Sequence, residues 1–319
     1  MTDRDFCAHM SQAAGEPLAG TAAPGSAYVF ITWPKPAWAH DALQARGFPE
    51  GAARLLSNLN ARAGVVTRLI HRAGEGRGNT CDLLIFPQSL HVRAVPVDGL
   101  EAVLREGFET GRWPDAVRLQ PGETHIFCCT HGTHDRCCAK FGFAAWRELR
   151  AAAERSGRDI SVWESSHLGG DRFAANAAVF PHGHMYGRLP AGNPDEFLRR
   201  IVQGQPDPRY YRGSVFLDPL EQVAEARGWQ WCADHGWSGP VLVQTERRTA
   251  DEGQVFVSIK DRKFGCCTGL RLTCRAEARS VFSTCVELDA CEQKSVRRWS
   301  VTSVDSVYER AEPALPVRV

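Results

Sequence analysis

The stretch Cys128-Cys129-Thr130-His131-Gly132-Thr133-His134-Asp135-Arg136-Cys137-Cys138, followed by His167-Leu168-Gly169-Gly170-Asp171, concentrates thiols, imidazoles and carboxylates in two short segments. Four cysteines, two histidines and one aspartate fall within the eleven residues of the first. Metal sites are built from such soft and borderline donors on backbone that can turn sharply. Gly132, Gly169 and Gly170 supply that backbone, because glycine accepts positive φ at little steric cost. A single cysteine is more often a small buried hydrophobe than a ligand. A glycine-containing loop this dense in donors, however, has no use in a core.

The elements that must position these residues can be read along the chain. Met1 to Gly25, rich in Ala, Gly and Pro, is expected to lie over the surface. Tyr28 to Ile31 reads as a buried strand ended by Trp33-Pro34-Lys35-Pro36, since proline cannot continue a ladder. His40 to Ala63 has helical spacing with a break at Gly47 to Pro49, and Val65 to Ile70 is strand-like. Asp82 to Phe86 and Leu90 to Val95 suit a hairpin; Asp98 to Glu109 suits a helix capped by Asp98.

A similar order recurs. His125 to Cys128 reads as a strand, Lys140 to Ser156 as a helix stopped by Gly157, and Asp159 to Glu164 as a strand. Phe173 to Phe180 and Met185 to Arg188 read as a hairpin around His182 and His184, which are expected to be solvated. Asn193 is placed as the N-cap of the next helix. Strand, helix, strand, hairpin, helix, twice over, is the order two tandem thioredoxin-like units would give. Asp218 to His235 then looks helical, beside an aromatic patch of Trp229, Trp231 and Trp237. Val241 to Val301 alternates like a β-rich segment, and the tail after Arg310 is expected to be loose.

In a thioredoxin-like second unit, the loop carrying Cys129 and Cys138 lies beside the loop carrying His167 and Asp171. Eight residues separate the cysteines and three separate the others, so all four could close on one site. Zinc usually takes a short Cys-x2–4-Cys knuckle, absent here. An iron–sulfur cluster accepts longer loops and mixed Cys/His ligation. A strand end turns one member of each vicinal pair away, so Cys128 and Cys137 are expected to pack. Arg172 and Asn176 are expected to brace the second loop by hydrogen bonds.

Cys129 to Cys138, Ser166 to Asn176, Pro181 to Gly187 and the opening Gly15 to Ala22 together resemble the sucrase/ferredoxin-like family. The resemblance is strongest from 124 to 190 and weakens in the C-terminal third. It implies a thioredoxin-like ferredoxin carrying a [2Fe–2S] cluster and passing electrons to or from a redox partner protein, a reductase or an acceptor. Carried over by position, the implied ligands are Cys129, Cys138, His167 and Asp171. Asp171 departs from the pattern, which has a second histidine there; Cys128, Cys137 and His131 are the nearby substitutes. Trp33 to Pro36 stands where ligands of the first unit would be, so that unit is expected to be degenerate.

The chain has 319 residues, 43% hydrophobic and 24% charged, with net charge +1, which implies no broad basic surface for nucleic acid. No apolar run approaches the roughly 20 residues of a membrane helix. The N-terminus lacks the basic and apolar regions of a signal peptide, so a cytoplasmic location is expected. Twelve cysteines in a reducing compartment point away from a disulfide framework. Cys266, Leu270, Leu272 and Cys274 share one strand parity, the pattern of a buried face; the C-terminal group Cys266, Cys267, Cys274, Cys285 and Cys291 is expected to pack and not to ligate the first site, with a second metal site or a redox-sensitive thiol group as the alternative. No pair of carboxylates stands out for glycoside hydrolysis. We therefore expect an α/β protein divided at 1–115, 116–212 and 213–319: degenerate unit, ferredoxin-like unit, and C-terminal helix plus β-rich extension. It would be an electron carrier rather than an enzyme with its own small-molecule substrate. A metal-free thiol oxidoreductase and a zinc-stabilised interaction module are the alternatives.

Overall fold

A computed structural model describes residues 6–72, 79–190, 192, 194–261 and 267–307. The first element among the described residues is helix α1 (Cys7–Ala13). Strand β1 (Ala27–Thr32) leads through helix α2 (Glu50–Ala63) to strand β2 (Val65–His71), which is parallel to β1. Gly64, at φ +67°, ends α2 in the left-handed conformation that glycine adopts most cheaply. Strands β3 (Thr80–Phe86) and β4 (Leu90–Pro96) form the expected hairpin, with β3 antiparallel to β1; helix α3 (Leu100–Thr110) and the short β5 (Val117–Arg118) follow.

The same succession returns in strand β6 (Thr124–Cys129), helix α4 (Phe143–Ser156), parallel strand β7 (Ile160–Ser165), hairpin strands β8 (Ala177–Phe180) and β9 (His184–Tyr186), and helix α5 (Asp195–Ile201). With β10 (Tyr211–Ser214) the strands form one ten-stranded sheet in the order β10-β9-β8-β6-β7-β2-β1-β3-β4-β5. The orders β2-β1-β3-β4 and β7-β6-β8-β9 match element for element. The two sets meet at an antiparallel seam, where Ile70 faces Ser165 and His71 faces Glu164.

Strand alternation sorts side chains into layers. Val29 and Ile31 pack with Leu56 and Leu104 under α2 and α3, while Ile126 and Cys128 pack with Leu149 and Leu198 under α4 and α5. Tyr28, Phe30, Phe86, Phe127, Trp163 and Phe180 point the other way and share a single core. There Phe30 stacks on Phe127, with centroids 3.6 Å apart, across the two halves. Beyond the sheet, helix α6 (Pro219–His235) starts on a capping box of Asp218 and Glu221. It packs against a second, four-stranded antiparallel sheet of β11 (Val241–Arg248), β12 (Glu252–Lys260), β13 (Cys267–Val281) and β14 (Lys294–Val307). Helix α7 (Cys285–Asp289) lies between β13 and β14 in the chain.

Four local expectations are corrected. The N-terminal segment is not a surface strap: Cys7, Ala8, Ser11 and Glu16 are buried. Asp98 sits in a 3-10 turn and caps nothing, as α3 has no side-chain cap. Strand β8 begins at Ala177, not Phe173, because Asp171 to Phe173 form a 3-10 turn. His184 is buried rather than solvated, edge-on to Tyr211 and Trp229, whereas His182 is exposed. The expected parity holds for Leu270, Leu272 and Cys274, which are buried. Cys266, Asn193 and the tail after Arg310 lie outside the described residues.

One buried carboxyl gives a stability test. Glu225 on α6 accepts hydrogen bonds from the Tyr211 hydroxyl (2.8 Å) and the Ser214 N–H (3.0 Å). Burial outweighs both and pushes its carboxyl up to about 7. A raised carboxyl supports the native state fully below its unfolded value, and that support is lost as pH rises through the folded value. Glu225→Gln keeps both acceptor contacts without the charge. It should leave thermal stability unchanged near about pH 4 and raise it near about pH 8, by about 3 kcal/mol at most. Equal melting curves for the two proteins at both pH values would contradict this.

Candidate metal centre

Strands β6 and β7 run parallel in register, Thr124 beside Ile160 and Cys129 beside Ser165, so their following loops emerge side by side. The crevice beyond the carboxyl ends of adjacent parallel strands is where α/β proteins place ligands. Cys129 ends β6 and faces the shared aromatic core, while its neighbour Cys128 faces the opposite layer. The chain then turns on itself, the N–H groups of His134 and Asp135 donating to the His131 carbonyl (3.1 and 3.2 Å). It enters α4 through a π-helical turn, Cys138–Gly142. Such wide turns recur at functional sites.

Gly142 lets this turn press on the end of β6. A Cβ there would lie 1.9 Å from the carbonyl oxygen of Cys129, so something must move. Gly142→Ala should cost roughly 1–3 kcal/mol and weaken metal retention by displacing Cys129. Wild-type stability and metal content in a folded Gly142→Ala protein would contradict the assignment.

The second loop is shaped by Gly169 and Gly170 in succession, at φ +89° and +79°. Asn176 donates to the Gly170 carbonyl (2.9 Å). The buried Arg212 donates to the Gly169 carbonyl and to Asn176 Oδ1, both at 2.8 Å. Arg172 forms a buried pair with Glu16 of the N-terminal segment, its Nε 2.8 Å from Oε2 and its Nη2 2.9 Å from Oε1. Arg172 and Asn176 thus brace the loop as expected.

Four side chains converge. Cys129 Sγ, Cys138 Sγ and a His167 ring nitrogen all lie within 4.8 Å of one another. Asp171 Oδ1 is 3.2 Å from Cys138 Sγ and 3.0 Å from His167 Nδ1. Cys129, Cys138 and Asp171 are buried and His167 is partly exposed. The three substitutes considered for the fourth position are placed elsewhere. Cys128 points into the other core layer. Cys137 lies against Cys7 and Cys285. The Nδ1 of His131 accepts the His167 N–H at 3.2 Å. His134 is the residue that sequence reasoning passed over. Its Nε2 lies 3.6 Å from Asp171 Oδ2, and its ring stacks on His167 with centroids 3.7 Å apart. The tight turn implied by His131-Gly132-Thr133-His134 was its only signal.

The four groups shift one another's protonation. Hydrogen bonding from Cys138, opposed by burial and aided by His167, holds the Cys129 thiol well below its ordinary value. Cys138, donating to that thiolate and buried, is pushed well above it. Burial disfavours the His167 imidazolium, yet Asp171 and Cys129 raise it to about 9. His134 and His167 hold Asp171 well below the usual carboxylate range against its burial. Two anionic donors, a thiol and an imidazole thus face one point, and a bound metal would displace protons from Cys138 and His167.

Two thiolates and an imidazole match the mixed Cys/His ligation that iron–sulfur centres accept, and the Asp171 carboxylate stands beside them as an oxygen donor. A family model of sucrase/ferredoxin-like proteins matches residues 18–213. The chain belongs to the sucrase/ferredoxin-like family. Among solved structures, this sucrase/ferredoxin-like protein is similar to a thioredoxin-like [2Fe–2S] ferredoxin from Aquifex aeolicus, at 14% identity over 28% of this chain and 88% of that one, with a TM-score of 0.25. A 1.5 Å crystal structure of the wild-type form of that ferredoxin matches at 17% identity over 28% of this chain and 94% of that one, with a TM-score of 0.23. No curated protein matches the chain. The family match of this sucrase/ferredoxin-like protein ends at residue 213, so α6 and the four-stranded sheet lie beyond it, as α1 lies before it.

Proposed function

We propose that this protein carries a [2Fe–2S] cluster and passes single electrons between redox partner proteins, without transforming a small molecule of its own. The observation that carries the proposal is the convergence of Cys129, Cys138, His167 and Asp171 from two adjacent loops into one buried site. These four would hold the group, within the 116–212 unit proposed from the sequence. When bound, it supplies one reversibly reducible centre. The chain does the rest. Cys129 and, once its proton is displaced, Cys138 supply the thiolates, and the Gly169-Gly170 turn, held by Asn176 and Arg212, presents His167 and the Asp171 carboxylate. The shared aromatic core keeps water from the cysteine side.

The imidazoles also mark a way in. Exposed His40 stacks on His134 (4.4 Å), which stacks on His167 (3.7 Å), so a line of rings runs from the surface to the donors. A redox partner docking over His40 would come closest to the centre. Among the described residues, no helix is long and apolar enough to cross a membrane.

His167→Cys tests the ligand assignment by charge. A thiolate in place of a neutral imidazole adds a negative charge beside the centre, and reduction adds another, so the potential should fall. Voltammetry on wild type and variant would read it. Identical potentials, or no reversible couple in wild type, would overturn the proposal. A second reading has one observation in its favour: Cys129, Cys138 and His167 bring their donor atoms within 4.8 Å of one another, a spacing that also suits three ligands of a single zinc ion. A metal-free thiol oxidoreductase fits less well, because Cys129 and Cys138 are about 1% and 0% exposed and no substrate could reach them.

A further inference from the structure

Behind the first site lies a second group of donors. Cys7 on α1, Cys137 at the entrance to the π-helical turn and Cys285 at the start of α7 bring their sulfurs to 3.5, 3.2 and 3.6 Å from one another. These distances are far longer than a disulfide of about 2.05 Å. They are slightly shorter than the roughly 3.8 Å between two sulfurs that each sit about 2.3 Å from a tetrahedral ion. Asp135 completes the group. Its Oδ1 accepts the Cys137 N–H and its Oδ2 the Cys285 N–H, both at 2.7 Å, which leaves a lone pair on each oxygen. One carboxylate oxygen and the three sulfurs all lie within 4.8 Å of one another.

Burial makes the group hard to explain as packing. Cys7 and Cys137 are 0% exposed, Cys285 2% and Asp135 3%. Phe6, Phe141, Phe282 and Leu288 close around the thiols. A carboxylate in such surroundings is costly without a cation, and thiol–thiol contacts repay little of the cost of burying three polar sulfurs together. Cys137 and Cys285 are each expected from the sequence to pack, with a second metal site as the alternative for Cys285; the fold brings them together across 148 residues of chain.

We propose that Cys7, Cys137, Cys285 and Asp135 form a structural zinc site that fastens α1 and α7 to the ligand loop of the first centre. Three thiolates and a carboxylate suit zinc, and full burial with four protein donors leaves no open position for chemistry. The site's purpose follows from its place. Cys137 precedes Cys138, and Cys7 and Cys285 come from segments outside the family match, at residues before 18 and after 213. The ion would tie the added terminal segments to the backbone that sets Cys138. This site does not depend on what occupies the first.

The test uses full-length protein. Cys129→Ser/Cys138→Ser removes the first centre, and this variant should still bind about one zinc per chain. Zinc should fall to near zero when Cys7→Ser or Cys285→Ser is added. Because those variants could misfold, two measurements need no substitution in the second site. Cobalt loaded into the Cys129→Ser/Cys138→Ser protein should give the intense visible bands of tetrahedral cobalt–thiolate. X-ray absorption at the zinc edge of the Cys129→Ser/Cys138→Ser protein should report three sulfur neighbours and one oxygen. A Cys129→Ser/Cys138→Ser protein with neither zinc nor cobalt bands would overturn the proposal, as would a disulfide joining any two of the three cysteines in freshly isolated protein.

Discussion

Cys129→Ser and Cys138→Ser, made singly, should each remove at least about nine-tenths of the bound iron and sulfide and bleach the visible spectrum. Thiolates are the strongest donors in the site, and neither has a nearby thiol to replace it. Cys128 faces the opposite layer, and Cys137 is engaged with Cys7 and Cys285. A serine hydroxyl is a poorer donor at neutral pH and would stay protonated in so buried a place. By contrast Cys128→Ala, whose thiol only packs, should keep its colour and lose stability alone. Iron and sulfide analysis of the three purified proteins checks this. A coloured Cys138→Ser protein, or a colourless but folded Cys128→Ala protein, would reassign the ligands.

Arg172→Met should be among the most destabilising substitutions in the chain, costing about 3–5 kcal/mol. It leaves Glu16 as a carboxylate that is 3% exposed, supported among the described residues by the longer 3.4 Å contact from Arg298 Nε, the Ser11 hydroxyl and the nearby charge of Arg188. Although burial works against it, Arg172 holds Glu16 below its ordinary value. A depressed carboxyl lends stability above its unfolded value and loses it as pH falls through the folded one. The gap between wild type and Arg172→Met should therefore narrow in acid. Since Arg172 follows Asp171 directly, the variant should also lose metal more readily. Urea unfolding of Arg172→Met, Glu16→Gln and the double variant, at neutral and acid pH, measures these effects. The double variant should recover part of the loss, because no charge is left buried alone. Additive losses would mean that the pair is not coupled.

Much of the ten-stranded sheet was legible because its signals are local. Apolar runs such as Tyr28 to Ile31, the stops at Gly64 and Gly157 and the turn residues between β3 and β4 each act over a few positions. The meeting of Cys129, Cys138, His167 and Asp171 was legible for the same reason: they fall in two short loops, and parallel β6 and β7 bring those loops together. What was missed depends on distant partners. The N-terminal segment looks like a surface strap until Arg172 claims Glu16 from 156 residues away. His184 looks like a turn residue until Tyr211 and Trp229 cover it. Cys137 looks like filler until Cys7 and Cys285 arrive from the two ends of the chain.

The most direct test of the central claim is iron, zinc and sulfide analysis of wild-type protein purified without oxygen, read beside its absorption spectrum. A red-brown protein with about two iron and two sulfide per chain is the result expected of a [2Fe–2S] carrier. Colourless protein without iron or sulfide would contradict it, whatever zinc the second site holds.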